Sequence, residues 1–277
     1  MKFLDLFGRL KSVVIGMIHV NALPGTPMGY MTMPQITEEA CREAEIYRQA
    51  GIDGLIIENM HDVPYCFSVG PEVCACMTAV CAAVRGVCPR LPLGVQILSS
   101  ANQQAVAVAL ASGLDFIRAE GFVFSHVADE GLLDACAGDL LRYRKQIGAE
   151  RVQIFTDIKK KHSSHALTSD VSIEETARAA EFFLSDGLIV TGAATGAPAD
   201  PRELRGINTL DPIHDTNLPR LCLMATPAFF FTRILKTGDP LLLLLFLGEE
   251  EPLRQHEARV SVWRSDCSRV QGPPASG

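Results

Sequence analysis

The sequence predicts an α/β protein of the (β/α)8 TIM-barrel type with six recognisable strand–helix units. Short apolar segments alternate with longer segments of helical periodicity, which is the pattern of serial βα units around a parallel sheet. Three of the helix-to-strand joints repeat one short phrase, and each predicted strand ends in a polar side chain. A doubly wound open sheet is the alternative that the same rhythm allows.

The predicted elements follow one another without long gaps. We expect strands over residues 13–20, 54–58, 93–98, 115–120, 151–158 and 187–191. We expect helices over residues 37–50, 71–87, 102–112, 130–147 and 173–184. Thr37, followed by two glutamates, is the predicted N-cap of the first of these helices. In the repeated joints, Gly51 and Gly113 suit a left-handed helix C-cap.

The polar ends of the strands favour the barrel over the open sheet. They are His19, Glu58, Gln96, Arg118, Asp157 and Thr191, and they lie 22 to 39 residues apart. A TIM barrel uses roughly 30 residues per unit and gathers all its strand ends at one mouth. In an open sheet only the ends near the switch point would meet.

Composition limits the classes of partner. The chain has 277 residues, 48% of them hydrophobic, which is enough to bury a full core. Its net charge of -7 argues against a general nucleic-acid or anionic-membrane surface, although Lys159-Lys160-Lys161 still suits a phosphate. The apolar run at 241–247 is too short for a membrane helix, which needs about 20 residues. We therefore expect no nucleic-acid partner and no membrane span.

The cysteines indicate a reducing compartment. There are nine, an odd number, and they are scattered through apolar segments, which favours free thiols over a disulfide framework. Cys74 and Cys76 are too close in sequence for the usual zinc spacing, so no metal site is predicted there. The first residues show no evident targeting peptide. These features predict an intracellular protein of the cytoplasm or the mitochondrial matrix.

The stretch 151–162 carries the strongest chemical signal. Period-2 alternation places Asp157, Lys159 and Lys161 on one face of the fifth strand, at its carboxyl end. Asp157 and Lys159 would act as acid/base partners or anchor an anionic substrate, and a stabilising salt bridge between them is the alternative. Lys160 has the opposite parity and is expected to face solvent or a helix.

Strands one and two each offer one further catalytic candidate. His19 shares its strand face with apolar residues that would point into the barrel, and an active-site role or a hydrogen-bonded structural role both fit. Glu58 is predicted to be a general base, a ligand or a substrate contact, with a paired structural carboxylate as the alternative. Asp62 would contact substrate, orient His61 or cap a turn.

Other polar residues at the strand ends are candidates for binding substrate. The predicted set is Asn59, Asp62, Gln96, Arg118, Glu120, Lys161, His162, Thr191, Gly192, Thr195 and Gly196. Arg118 and Glu120 have the same parity, so an ion pair between them is the structural alternative. The loop 191–196 is rich in small residues and would let backbone amides approach a phosphate.

Metal binding is not predicted. His162 and His165 are spaced as His-x-x-His but lie in a serine-rich loop, which is a weak pattern for a divalent ion. His19, Glu58 and Asp157 lie at three strand ends, but sequence spacing alone does not bring them together.

Seven ordered motifs resemble one known family. They are Gly16-Met-Ile-His-Val-Asn-Ala-Leu-Pro-Gly25, Glu58-Asn-Met-His-Asp-Val-Pro64, Pro92-Leu-Gly-Val-Gln96, Asp115-Phe-Ile-Arg118, Leu140-Leu-Arg-Tyr-Arg144, Asp157-Ile-Lys-Lys-Lys-His162 and Thr191-Gly-Ala-Ala-Thr-Gly196. Together they resemble the BtpA/SgcQ family over about residues 11–204. The resemblance implies a TIM barrel of the ribulose-phosphate-binding type and settles no reaction or cofactor.

The resemblance stops after Leu204. Family members continue with two closing units, whose glycine-containing loops have no counterpart between residues 205 and 277. We therefore expect a βα barrel region at 1–204 and a divergent C-terminal segment at 205–277, irregular, with short helices, and introduced by alternative splicing or a shifted frame. An incomplete barrel would expose two sheet edges, which predicts a homo-oligomer or a protein partner unless the C-terminal segment covers them.

Two classes of function remain open. The first is a barrel that binds or converts a small phosphorylated or sugar-like metabolite, with His19, Glu58, Asp157 and Lys159 as catalytic residues. The second is a non-catalytic factor for the assembly or stability of a protein complex, as the namesake of the resembling family implies. An inactive variant with an altered C-terminus is a further alternative.

Overall fold

The computed structural model describes residues 2–8, 13–192, 199–208, 210, 222–226 and 244–247. The strands are β1 (Val14–His19), β2 (Gly54–Glu58), β3 (Leu93–Gln96), β4 (Phe116–Ala119), β5 (His126–Ala128), β6 (Gly131–Leu133), β7 (Gln153–Ile158), β8 (Ser163–Ser164), β9 (Gly187–Val190), β10 (Cys222–Thr226) and β11 (Leu244–Leu247). The helices are α1 (Lys2–Phe7), α2 (Met33–Gln49), α3 (Pro71–Val87), α4 (Asn102–Ser112), α5 (Ala137–Gln146), α6 (Ile173–Phe182) and α7 (Pro201–Asn208).

Six strands form a curled parallel sheet in the order β1, β2, β3, β4, β7 and β9. Neighbouring strands start at matching levels: Ile15 lies opposite Gly54, and Leu55 lies opposite Leu93. Along the chain, a helix follows each of the first five strands of this parallel sheet before the next one begins, and α7 follows its sixth strand, β9. The predicted TIM-barrel type of α/β fold is confirmed, and all six carboxyl ends lie at one mouth.

Two short strands from the C-terminal segment complete the ring. β10 pairs in parallel with β9, whereas β11 pairs antiparallel with both β10 and β1. A regular TIM barrel has eight parallel strands, so the antiparallel β11 departs from that pattern. The two edges that a six-stranded sheet would expose, β1 and β9, are therefore both hydrogen-bonded to this segment.

The core has two layers that follow the alternation of the strands. Val152, Ile154 and Ile158 of the β7 stretch belong to the large cluster between the sheet and the helices. Phe155 points the other way and packs inside the barrel, with its ring centroid 5.1 Å from that of Phe116. Gly94 makes room for this pair, because a Cβ there would overlap the Phe116 ring.

Helix α1 closes the end of the barrel opposite the mouth. The Phe3 ring centroid lies 6.0 Å from that of Phe155, and the Phe7 ring centroid lies 6.1 Å from that of Phe116. The sequence prediction missed this helix, because six residues are too few to show a helical period. The mouth is therefore the accessible end of the barrel interior.

The repeated joints of the sequence form a repeated contact at the amino ends of the strands. Asp53 Oδ2 accepts a hydrogen bond from the Val14 amide at 2.9 Å. Asp115 Oδ2 accepts from the Leu93 amide, and Asp186 Oδ2 from the Ile154 amide, each at 2.9 Å. Each aspartate thus ties the start of its own strand to the neighbouring strand. We call these three contacts the aspartate clamps.

Two predicted helix boundaries were wrong. Helix α2 begins at Met33 rather than near Thr37, because the Thr32 amide donates to Gln35 Oε1 at 2.9 Å and Thr32 is the N-cap. Helix α5 begins at Ala137 rather than at 130, since residues 131–133 form β6. This strand pairs with β5, which also pairs with β8, so a small three-stranded sheet joins the loops after β4 and β7.

Candidate functional site

The carboxyl ends of the strands bring most of the predicted polar residues together in the mouth. Glu58, Gln96, Arg118, Glu120 and Asp157 are each less than one tenth exposed. So many buried polar side chains in one place require hydrogen-bond or charge partners, which the strands supply to one another.

Arg118 of β4 and Asp157 of β7 form a bidentate ion pair. Nε donates to Oδ2 at 2.9 Å and Nη2 donates to Oδ1 at 3.1 Å. Burial alone would lower the pKa of the Arg118 guanidinium. The negative charges of Asp157 and Glu58 outweigh burial and raise that pKa. Burial also raises the pKa of Asp157, Arg118 opposes that shift, and Glu120 adds to it. Both carboxylate oxygens accept hydrogen bonds, which is the geometry of the ionised acid.

Glu120 is held by Lys160 and Gln96. Lys160 Nζ lies 2.6 Å from Oε2, and Gln96 Nε2 donates to Oε1 at 3.0 Å. The expected pair between Arg118 and Glu120 is therefore replaced by two separate ion pairs. The prediction that Lys160 faces solvent or a helix was wrong, since only 10% of its side chain is exposed.

The backbone at Lys159 explains why the alternation fails there. Its φ of 47° is left-handed, so the chain leaves the extended conformation directly after β7. The Lys159 side chain turns away and Nζ donates to the Thr168 carbonyl at 2.8 Å. Lys159 therefore does not pair with Asp157, and the expected salt bridge between them is not formed.

Lys161 stays close to the charges of the mouth. Its backbone amide donates to Thr191 Oγ1 at 3.0 Å, which fixes the loop after β7 against the end of β9. Burial lowers the pKa of its half-buried ammonium and the charge of Arg118 lowers it further, while Asp157, Glu58 and Glu120 oppose the shift. No hydrogen bond or ion pair joins Nζ to any other residue that the structure describes.

His19 and Glu58 meet across β1 and β2. His19 Nε2 lies 3.4 Å from Glu58 Oε2, and both side chains are about one tenth exposed. Burial would raise the pKa of Glu58, but the hydrogen bond and charge of His19, with Arg118 and Lys161, outweigh it and lower that pKa. The pair suits proton transfer or a structural ion pair, the two roles that the sequence left open.

Asp62 and Asn59 hold the loops of the mouth. Asp62 Oδ1 accepts from the Leu23 amide at 2.8 Å, and Asn59 Nδ2 donates to Asp62 Oδ2 at 2.9 Å. Asn59 Oδ1 accepts from the Leu98 amide at 2.8 Å. These contacts tie together the loops that follow β1, β2 and β3. They favour the loop-capping role of Asp62 over the alternative of orienting His61.

Several buried polar atoms of the mouth lack a partner among the described residues. They are Gln96 Oε1, Ser99 Oγ and Ser100 Oγ, at or just beyond the end of β3. Such atoms are rare in folded proteins and are available to a ligand. The sequence prediction missed the two serines, although a polar pair directly after Ile97-Leu98 marks the end of an apolar strand.

The remaining predicted residues lie around this centre or beyond the described residues. Thr191 and Gly192 are buried, and Thr191 accepts a hydrogen bond from the Lys161 amide, whereas His162 is exposed. Thr195 and Gly196 lie outside the described residues. His165 Nε2 contacts the Lys160 carbonyl at 2.9 Å.

Metal coordination is not favoured by the geometry of the described part of the chain. It contains no group of three or more His, Cys, Asp or Glu side chains placed to hold a metal ion. His19, Glu58 and Asp157 therefore do not form the three-strand ligand set that sequence spacing left open. Nor does any described helix have the length and apolar character that crossing a membrane requires. The cysteines whose side chains the structure describes are all free.

The fold and the mouth define a TIM-barrel-type α/β protein with a charged site at the carboxyl ends of its strands. The chain belongs to the BtpA family, since the model of that family matches residues 10–214. The expected resemblance is confirmed. No activity follows from membership alone.

Two relatives and one solved structure show how far the similarity extends. An uncharacterised mitochondrial protein of Caenorhabditis elegans is 51% identical over 204 residues, which cover 72% of this chain and 74% of that protein. The photosystem I biogenesis protein BtpA of Synechocystis is 31% identical, over 73% of this chain and 70% of that protein. A putative phosphonomutase from Burkholderia cenocepacia is 16% identical, with a TM-score of 0.46 over 78% of this chain and 84% of that one.

Proposed function

We propose that the barrel mouth binds or converts a small phosphorylated or sugar-like metabolite. An anionic group of this metabolite would lie beside Lys161. This proposal rests on one observation, namely which charged side chains of the mouth are paired with one another. Arg118 is paired with Asp157 and Lys160 with Glu120, and His19 contacts Glu58. Lys161 is left as a cation without a partner among the described residues.

A half-buried ammonium that no described residue pairs with favours an anionic ligand. Removing a charge from water is costly unless an opposite charge replaces the lost hydration. The paired carboxylates of the mouth repel an anion less than free carboxylates would, because their cations stay beside them. A carboxylate or phosphate group next to Lys161 would therefore relieve the cost of its burial.

The polar atoms without partners fit the rest of such a ligand. Gln96 Oε1 can accept a hydrogen bond, and the hydroxyls of Ser99 and Ser100 can donate or accept. Hydroxyl groups of a sugar-like metabolite match both properties. Polar groups of this kind fix the orientation of a small ligand in a site. Within such a site, His19, Glu58 and Asp157 are the candidates for moving protons.

A thermal-shift panel of matched pairs tests the proposal. Ribose 5-phosphate and glycerol 3-phosphate should raise the melting temperature more than ribose and glycerol, because ligand binding stabilises the folded state. Lys161→Met should abolish the shift without lowering the melting temperature of the free protein. Lys145→Met is the matched control, since Lys145 is exposed and pairs with Glu150. Equal shifts for phosphorylated and plain compounds would contradict the proposal.

The C-terminal segment requires its own comparison. We propose that the segment beyond the family match, which ends at residue 214, alters the side of the mouth that β10 and β11 form. The same panel should therefore be run on a form with eight regular βα units. A shift seen only with that form would identify this chain as an inactive variant.

An assembly factor is the second candidate function. The Synechocystis relative is named for photosystem I biogenesis, and the loops of this mouth carry exposed apolar side chains that suit a protein partner. These side chains are Met28, Tyr30, Val63, Phe67 and Leu132. In this case no metabolite should shift the melting temperature, and a partner or a second copy should co-purify with the chain.

The compartment is proposed on similar grounds. The C. elegans relative is named as mitochondrial. We propose a reducing compartment, either the mitochondrial matrix or the cytoplasm, for this chain. Fractionation of cells that express a tagged chain would distinguish the two.

A further inference from the structure

The three consecutive lysines after β7 have different environments. Lys159 Nζ donates to the Thr168 carbonyl, and Lys160 Nζ is paired with Glu120. Lys161 Nζ makes neither kind of contact with a described residue, although its backbone is fixed by Thr191. An amine held by a hydrogen-bond acceptor or a carboxylate is a poor nucleophile, so Lys161 is the one of the three whose amine no described residue holds.

We propose that Lys161 is a nucleophile that forms a Schiff base with the carbonyl group of an anionic metabolite. This inference rests on the proposed function and deepens it, because it names the class of ligand as an aldehyde or ketone that carries a carboxylate or a phosphate. A half-buried lysine beside another cation is a common way to activate an amine for this chemistry.

The charges around Lys161 suit the reaction. Arg118 lies near enough to disfavour the protonated amine, and burial acts in the same direction, so the pKa of Lys161 is lowered. Asp157, Glu58 and Glu120 also face the amine and oppose that shift. Arg118 and Lys160 hold two of these acids in ion pairs, which limits how strongly they can stabilise the ammonium.

The covalent step balances without any further reactant. The neutral amine of Lys161 attacks the carbonyl carbon, and the π electrons move to the oxygen. The nitrogen then loses a proton and the oxygen takes one up, which gives a neutral carbinolamine. The nitrogen lone pair then expels that oxygen as water after a second protonation, which leaves a protonated imine. Glu58, in contact with His19, is the candidate to pass these protons.

The product keeps the charge that the proposed function requires. A protonated imine is cationic, so the mouth still offers one positive charge to the carboxylate or phosphate of the ligand. The same lysine therefore serves both roles. Its ammonium form attracts the anionic ligand, and the neutral amine in equilibrium with it attacks the carbonyl and becomes the cationic imine.

Borohydride trapping on the full chain tests the inference. The protein is incubated with glyoxylate or glyceraldehyde 3-phosphate, reduced with sodium borohydride, digested and analysed by peptide mass spectrometry. We expect the reduced adduct on Lys161, with little on Lys159 or Lys160. Lys161→Arg should abolish it and Lys145→Arg should leave it unchanged. Labelling of exposed lysines alone, or of all three lysines equally, would overturn the inference.

Matched ligands without a carbonyl separate this inference from the proposed function. Glycolate and glycerol 3-phosphate carry the same anionic groups but form no imine. If they stabilise the protein and no adduct forms on Lys161 with the carbonyl compounds, the anion site stands and the Schiff base is wrong. If none of the compounds stabilises or labels the protein, both proposals are wrong.

The pH dependence of trapping adds a second readout. Each unit by which a lysine pKa lies lower gives about tenfold more free amine at neutral pH. Adduct formation on Lys161 should therefore reach half of its maximum at a lower pH than adduct formation on a free lysine derivative such as Nα-acetyl-lysine under the same conditions. Coinciding pH profiles would contradict an activated Lys161.

Discussion

The two ends of the barrel use their buried charges in different ways. At the amino ends of the strands, the aspartate clamps repeat one contact between a carboxylate and the backbone of the neighbouring strand. Two clamps add an arginine: Arg85 lies 2.5 Å from Asp115, and Arg144 lies 2.6 Å from Asp186. At the mouth, by contrast, the ion pairs join side chain to side chain and no two of them are alike.

This difference explains which end supports the fold and which end can hold a ligand. A clamp satisfies a backbone amide and positions two strands, so its aspartate is fully committed to structure. In the mouth, pairing leaves one ammonium and several hydrogen-bonding atoms without partners among the described residues. A site needs such available groups, whereas a structural contact does not.

The largest expected effect comes from breaking the central ion pair of the mouth. Arg118→Met would leave Asp157 as a buried carboxylate without its cation, and only 1% of that side chain is exposed. Removing one partner of a buried pair typically costs about 3–5 kcal/mol. The free energy of unfolding, measured by urea titration, should fall by that amount.

The double variant Arg118→Met with Asp157→Leu is the control for this result. Replacing both partners by apolar groups removes the uncompensated charge, so much of the lost stability should return. If the double variant were as unstable as Arg118→Met, packing rather than charge would explain the loss, and the contrast between the two barrel ends would weaken.

A clamp should matter less than the central pair but more than a surface contact. Asp186→Ala leaves the Ile154 amide without its acceptor and removes the carboxylate partner of Arg144, which keeps its hydrogen bond to the Val152 carbonyl. Hydrogen bonds to charged groups are worth about 1.5–3 kcal/mol each, so we expect a loss in that range from urea unfolding. Ligand-induced stabilisation should persist in this variant. Its disappearance would show that the two ends of the barrel are not independent.

Sequence patterns predicted the clamps' positions better than the mouth's contacts. The repeated joints marked the amino ends because the same contact recurs, although the carboxylate-to-amide bond itself was not foreseen. Each mouth pair joins residues about 40 positions apart, such as Arg118 with Asp157 and Glu120 with Lys160. Pairs of this kind have no repeat from which they can be read.

Alternation predicted side-chain direction only while the backbone stayed extended. Phe155 has the parity of Asp157 and packs inside the barrel, whereas Ile154 has the opposite parity and packs against the helices. Alternation failed at Lys159, where a positive φ interrupts the strand and sends Lys160 into the mouth instead. Such a turn depends on the loop that follows, so the strand pattern alone does not contain it.

The smallest expected effect on the free energy of unfolding concerns a carboxyl group without the hydrogen-bond donors that hold the clamp aspartates. Glu43 on α2 has a buried Oε2 without a partner among the described residues. Burial raises its pKa from 4.5 to about 7, His19 and Arg42 oppose the shift, and Glu39 adds to it. Because the folded pKa is raised, the stability linked to this group is full below pH 4.5 and is lost as the pH rises through about 7.

Glu43→Gln removes this titration and should change the pH dependence of stability. Relative to the unaltered chain, the variant should gain about 1–2 kcal/mol in the free energy of unfolding between pH 5 and pH 8, since one pKa unit corresponds to about 1.4 kcal/mol and part of the group is solvated. Urea titrations at both pH values measure the gain. Glu38→Gln, exposed on the same helix, is the matched control. The stability difference between Glu43→Gln and the unaltered chain could instead be the same at both pH values. Glu43 would then be charged in the folded protein at both. A buried carboxylate without a described partner would be tolerated as readily as one in an aspartate clamp.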